Sequence, residues 1–204
     1  MLRDALRYPV EGKDIGRQYL VATVFYYGSL LVLPFFVVLG YYTKIMSETL
    51  EGSEGIPKFN EYKSLFFKGL KTTGVFTLYV ILPLMIIAAR SDITANTALQ
   101  SLIAVAMLAP VYFFPSAMTR FAETGKAKDS LDLRQVAEKS MTTKYLKGYG
   151  VLLVTSITVT LVQLAVFILA LASVIGIPAL IVLYPMMRFY EGIAYFRIMA
   201  EMSR

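Results

Sequence analysis

The chain contains no cysteine, no histidine and no tryptophan. Without Cys and His there is no thiolate or imidazole metal site, no disulfide, no thiol nucleophile and no histidine base. Without Trp, any aromatic belt at a membrane surface has to come from tyrosine, of which there are 14. Charge is also scarce, at 17% of residues against 57% apolar. The mean hydropathy is +0.62, outside the usual balance of a soluble domain of 204 residues. No Gly-rich phosphate loop, nucleophile elbow or metal-ligand spacing occurs. The carboxylates Glu48, Glu51, Glu54, Glu61, Glu123, Asp129, Asp132 and Glu138 are interleaved with Lys and Arg, as on a mixed solvated face. We therefore expect no enzymatic activity and no cofactor.

What the chain has in excess is apolar residues gathered in blocks, at 18–46, 74–89, 95–118 and 151–185. A helix needs about 20 apolar residues to cross the hydrocarbon core, so blocks of this length predict an all-α, polytopic helical membrane protein. The first 17 residues carry Arg3, Asp4, Arg7, Glu11, Lys13, Asp14 and Arg17, with no small-residue cleavage motif after the first block, and so predict no removable signal peptide. Between the second and third blocks Arg90 is the single base, and the break at 173–178 has none. The other 19 of the 20 basic residues lie in segments 1–17, 44–71, 120–147 and 188–204. The positive-inside rule places those segments, and both termini, on the cytoplasmic side of a cell membrane.

Both ends of the first block then lie on one face. Residues 18–43 supply only 26 positions, or about 13 per leg, and each leg would reach roughly 20 Å against a core of about 30 Å. This predicts a short or re-entrant hairpin that bends between Gly28 and Pro34. The alternative is a single tilted helix over 18–46, which would export Arg3, Arg7, Lys13 and Arg17. With the later blocks, the hairpin reading gives three helical hairpins and about six membrane segments.

A proline followed ten residues later by a base recurs at Pro34/Lys44, Pro110/Arg120 and Pro178/Arg188. Each base is followed by an acidic-glycine element: Glu51-Gly52, Glu123-Thr-Gly125 and Glu191-Gly192. The pattern suggests one membrane domain, 1–204, with a threefold repeat at 1–55, 56–128 and 129–204. Two amphipathic stretches precede the later hairpins. One aligns Phe59, Tyr62, Phe66 and Leu70 with Lys63, Lys68 and Lys71 off the face; the other starts from a candidate N-cap at Ser130 and aligns Leu133, Val136, Ala137, Met141 and Tyr145. Both read as interfacial helices in the headgroup plane, the alternative being the solvated ends of long spans.

The opening Met1-Leu-Arg-Asp-Ala-Leu-Arg-Tyr-Pro-Val-Glu11, the segment Gly40-Tyr-Tyr-Thr-Lys44, and Pro57-Lys-Phe-Asn-Glu-Tyr-Lys-Ser-Leu-Phe-Phe-Lys-Gly-Leu-Lys71 resemble a family of uncharacterised, mostly archaeal multi-pass membrane proteins. The resemblance covers most of the chain and is clearest in the first 71 residues. That family is a domain of unknown function, so the resemblance implies membrane location and supplies no activity or site.

The candidate sites are few. Lys44, Lys63, Lys68, Lys71, Arg120, Lys144, Lys147 and Arg188 flank the apolar blocks and are candidate contacts for anionic lipid headgroups. No ionisable residue is expected within a span. Thr155, Ser156, Thr158 and Gln163 are candidate intramembrane polar packing residues, or alternatively a polar pathway. Pro34, Pro83, Pro110, Pro115, Pro178 and Pro185 are candidate kinks. Nine tyrosines, Tyr41, Tyr42, Tyr79 and Tyr184 among them, read as the aromatic belt. These features point to a protein that organises lipid or scaffolds a partner membrane protein or a second copy of itself. A small transporter or channel is the alternative, and nucleic acid is not an expected partner.

Overall fold

The computed structural model describes residues 6–10, 15–28, 33–53, 55–81, 83–85, 88, 97–173 and 176–204. Among them are seven α-helices and no strand: α1 (Ile15–Gly28), α2 (Leu33–Leu50), α3 (Tyr62–Phe76), α4 (Thr97–Thr124), α5 (Leu133–Ser140), α6 (Thr143–Leu171) and α7 (Gly176–Ser203). The all-α class expected from the apolar blocks is what forms. Among the described residues, two segments, Tyr62–Met85 and Thr143–Leu171, are long and apolar enough to cross a membrane. The count of six membrane segments is not supported. The α1 helix has only 14 residues, Lys44 and Glu48 interrupt α2, and Arg188 and Glu191 interrupt α7.

Three helices, α2, α4 and α7, pack against one another at the centre. They are the three that carry the proline-to-base spacing. The residue after each base is apolar and buried in all three, as Ile45, Phe121 and Phe189. The acidic-glycine elements do two different jobs. Gly52 (φ 92°) and Gly125 (φ 68°) adopt the left-handed conformation that glycine tolerates best and end α2 and α4. Their amides bond back to Thr49 O (3.0 Å) and Phe121 O (2.8 Å). Gly192 instead lies inside α7, where a Cβ would meet the Tyr42 ring 2.2 Å away.

The closest helix pair is α2 on α3, and its cause is two glycines. A Cβ at Gly40 would lie 1.8 Å from Leu65 O, and one at Gly69 would lie 1.7 Å from Phe36 O. Backbone touches backbone there, an approach that only residues without a Cβ allow. Thr43 and Thr72 then share a buried hydrogen bond of 2.7 Å one turn further on. Ser47 continues the line by donating to Ala122 O of α4 at 3.0 Å.

The first apolar block is not one continuous helix. It is divided between α1 and α2, which pack against each other, and Pro34 lies 3.0 Å from where a Gly28 side chain would begin. The bend expected between Gly28 and Pro34 falls on 29–32, outside the described residues. The first amphipathic stretch is corrected in two ways. Within the helix the face that packs is Leu65, Gly69, Thr72 and Val75; of the expected stripe, Phe59 is buried and Phe66 packs against the same core, while Tyr62 and Leu70 are exposed. The helix also runs on into a π-turn at Thr77–Ile81, so it is the start of a long apolar segment and not a separate element. The second stretch does form its own helix, α5. Its N-cap is Asp132, whose side chain accepts from Gln135 N, and Ser130 falls instead in a 3-10 turn.

Of the candidate kinks, Pro110 and Pro115 lie inside α4 and Pro185 inside α7. Pro83 follows the π-turn that ends at Ile81, where the altered winding accommodates its missing N–H. Pro34 and Pro178 stand in the first turns of α2 and α7, where that N–H is not needed. The tyrosine belt is corrected at three of its nine positions. Tyr41, Tyr42 and Tyr79 are buried, and their hydroxyls bond to the carbonyls of Pro57 (2.8 Å), Arg188 (3.4 Å) and Ser130 (2.6 Å). Tyr27 and Tyr184 keep exposed rings.

Candidate functional site

The helix least covered by the rest of the fold is α6: of its 29 residues only Tyr145, Gly148, Thr155 and Ala170 are buried. Leu153, Ile157, Leu161, Val162, Leu164 and Phe167 are among the side chains it leaves exposed. Its one long seam is with α7, and that seam is polar in the middle of an apolar stretch. Gln163 Nε2 donates to Glu191 Oε2 at 2.9 Å. The same oxygen accepts from Arg188 Nη1 at 2.8 Å, and Arg188 Nε donates to the Tyr184 hydroxyl at 3.2 Å. The guanidinium also stands over the Tyr184 ring at 5.3 Å, close enough for a cation-π contact.

Burial and pairing explain one another here. The Glu191 side chain is only 11% exposed, that of Arg188 41%. A carboxylate so placed is held by a neighbouring cation and a donor amide or else it is not ionised. Tyr42 of α2 packs its ring on Gly192, the next residue, so a central helix closes the inner side of the pair. Further along the seam, Tyr195 OH lies beside Ser156 and Glu191, and it is buried without a hydrogen bond, as is Thr155 Oγ1.

Gln163 and Ser156 therefore fall on the seam, beside Glu191 and Tyr195, and Thr155 is buried on the same helix. Thr158 is exposed and returns its hydroxyl to Val154 O at 2.8 Å. Sequence reasoning missed Glu191, which lies on α7 against α6 and not within either segment long and apolar enough to cross a membrane. Arg188-x-x-Glu191 was legible as a pair three residues apart on one helix. What hid it was the reading of Arg188 as a base flanking an apolar block and of Glu191-Gly192 as an acidic-glycine element of the repeat.

The other candidate headgroup residues differ in exposure. Lys63, Lys71, Lys144 and Lys147 are exposed, and Lys44, Lys68 and Arg120 are half-buried. Lys68 stands close enough to Lys44 and Lys71 to feel their charge, with Glu48 and Glu51 nearby. It reaches Ser47 Oγ at 3.4 Å, and Lys71 reaches Gly125 O at 3.4 Å. Partial burial holds the Glu48 carboxyl above its usual range, opposed by Lys44. Arg120 pairs with Glu123, which also takes Lys139. Among the described residues no group of three or more His, Cys, Asp and Glu is placed to hold a metal ion.

Taken together, these features define an all-helical protein with two helices that could cross a membrane and an ion-paired seam beside one of them. Residues 27–172 match the family described as "Protein of unknown function (DUF4013)", and the chain belongs to that family. The opening motif at 1–11 lies outside the matched region. No curated protein and no solved structure matches the chain.

Proposed function

We propose that this is a non-enzymatic integral membrane protein that organises lipid or scaffolds a partner membrane protein through the exposed flank of α6. The observation that carries the reading is that flank. A 29-residue helix with four buried residues leaves a run of large apolar side chains uncovered, and exposed apolar patches mark lipid or protein contact. Several passes, with both termini cytoplasmic and the first hairpin short or re-entrant, fit the distribution of bases around the bundle, and Lys44, Lys63, Lys68, Lys71, Lys144 and Lys147 are then available to anionic headgroups.

Membrane fractionation tests the first half of this reading: the protein stays with the bilayer after an alkaline wash, and release into the wash overturns it. Reconstitution at high protein density tests the second, with reshaped vesicles expected if the hairpins act as wedges and unchanged vesicles leaving partner scaffolding. The absence of native cysteine makes topology directly measurable. An impermeant thiol reagent applied outside is expected to label Ala95→Cys and to spare Leu2→Cys and Arg204→Cys. Arg204 is the better C-terminal probe because it is exposed, whereas Ser203 Oγ is buried. Labelling at Leu2 would place the N-terminus outside.

The Gln163–Glu191–Arg188 centre favours a second reading, a small transporter or channel, because charge held within an apolar stretch commonly marks a solute or ion path. On that reading Gln163→Leu abolishes solute flux into vesicles while the protein remains folded. Flux unchanged by this substitution removes its support.

A further inference from the structure

Beside the ion pair, on the other side of Met187, lies a groove of about 480 Å³ lined by four separate parts of the chain. Val10 comes from the N-terminal turn, Tyr19 from α1, Thr158 and Val162 from α6, and Leu183 and Tyr190 from α7. The volume is that of a small-molecule pocket, within the usual range of about 300–1,000 Å³. Its wall is held in place by fixed contacts. Tyr190 OH donates to Leu6 O at 2.6 Å, Tyr8 OH donates to Gly55 O at 2.8 Å, and Arg197 covers the Tyr8 ring at 4.0 Å. Burial accordingly pushes the Tyr8 phenol above its ordinary pKa.

The chemistry of the lining selects the occupant. Each of its three hydroxyls is already bonded inside the protein: Tyr19 to Pro9 O at 3.1 Å, Thr158 to Val154 O at 2.8 Å, and Tyr190 to Leu6 O. With those donors satisfied by backbone carbonyls and the remaining walls apolar, the groove gives water and polar solutes little to bond, and a cavity of that kind takes hydrocarbon. Met187 is shared with a second cavity of about 230 Å³, lined by Gln163, Tyr184 and Arg188. Glu191 and Tyr184 occupy Nη1 and Nε of that guanidinium, which leaves Nη2 as the donor at this second cavity.

We propose that this pair of cavities binds one anionic membrane lipid, with an acyl chain in the groove and its headgroup at Arg188. The proposal rests on the membrane reading above and names the ligand class of its α6–α7 edge. Because the chain has no native Trp, a single Val159→Trp substitution places a reporter in the groove wall. Leu20→Trp, on the exposed side of α1, gives a second reporter, of ordinary annular lipid.

The protein, recovered from the membrane fraction, is titrated with phosphatidylglycerol whose acyl chains are brominated, and with brominated phosphatidylcholine. The expected result is quenching of the groove reporter that saturates at one lipid per chain, at least tenfold tighter for the anionic lipid, while the annular reporter is quenched in simple proportion to lipid content. In an Arg188→Gln background the anionic preference is lost and chain-dependent quenching remains. If that variant fails to fold, native mass spectrometry of the unsubstituted protein is the second measurement, with one retained anionic lipid expected.

Groove-reporter quenching that tracks the annular reporter, or no retained lipid, overturns the groove while leaving the membrane reading intact. Saturable quenching with no difference between the two lipids overturns the role of Arg188. A protein absent from the membrane fraction fails earlier, at the reading on which this one rests.

Discussion

Alanine at Gly69 is expected to destabilise the protein by about 3 kcal/mol, the upper part of the range for overpacking a rigid contact. The added methyl would lie 1.7 Å from Phe36 O and 2.9 Å from Gly40 N, both backbone atoms that no rotamer change can move. The α2 and α3 helices must separate, which also breaks the Thr43–Thr72 hydrogen bond. At about 2–4 °C per kcal/mol for a chain of this size, the melting temperature in detergent falls by roughly 10 °C. Gly74→Ala on the same helix is the control. No atom lies within 4 Å of its would-be Cβ, so the substitution removes only backbone freedom and is expected to be neutral or stabilising, by up to about 1 kcal/mol. Gly40→Ala should cost much the same as Gly69→Ala, and the double variant less than their sum, because both act on one contact. Equal melting of the Gly69 and Gly74 variants would contradict the crossing.

The second large effect is expected at the ion pair. Arg188→Met strands the Glu191 carboxylate, 11% exposed, with only the Gln163 amide to hold it. Breaking a buried pair from one side costs about 3–5 kcal/mol, and the 41% exposure of Arg188 places the expected loss near the lower end, about 3 kcal/mol. Replacing both partners, as Arg188→Met with Glu191→Leu, removes the stranded charge and is expected to recover most of the loss. Gln163→Leu alone is expected to cost about 1 kcal/mol or less, the worth of one interhelical hydrogen bond. Thermal unfolding of these variants and of Glu191→Leu alone in one detergent gives the coupling directly. Purely additive costs at Arg188 and Glu191 would mean that the pair is not a unit.

Legibility followed the range of the interaction concerned. Helical class could be read from block length, because a long apolar run has few other solutions. The seam residues Ser156 and Gln163 could be read because polar side chains in such a run need partners wherever the helix packs. The packing face of α3 could not. Of the stripe Phe59, Tyr62, Phe66 and Leu70, Phe59 and Phe66 do pack, but Tyr62 and Leu70 are exposed and Gly69 and Thr72 make the helix contact because Gly40 and Thr43 on α2 allow a closer approach, which depends on a second helix. The spacing Gly40-x-x-Thr43 and Gly69-x-x-Thr72 was the available signal. Tyr41, Tyr42 and Tyr79 escaped the belt reading for the same reason: an amphipathic ring suits an interface, and it suits equally a core in which a backbone carbonyl waits for its hydroxyl.

By itself the sequence determined that the chain is helical, that it lacks thiol and imidazole chemistry, and that its bases cluster at the ends of apolar blocks. These are properties of composition and local order, fixed before any helix meets another. Tertiary structure decided which helices pack at the centre, that Gly40 and Gly69 set the tightest crossing, that α6 keeps an apolar flank uncovered, and that Glu191 sits against Gln163 with Arg188. Glu191 and Gln163 are 28 residues apart, and neither has its meaning alone. A carboxylate becomes a buried charge only when a neighbouring helix excludes water from it, and no local pattern records which helix that will be.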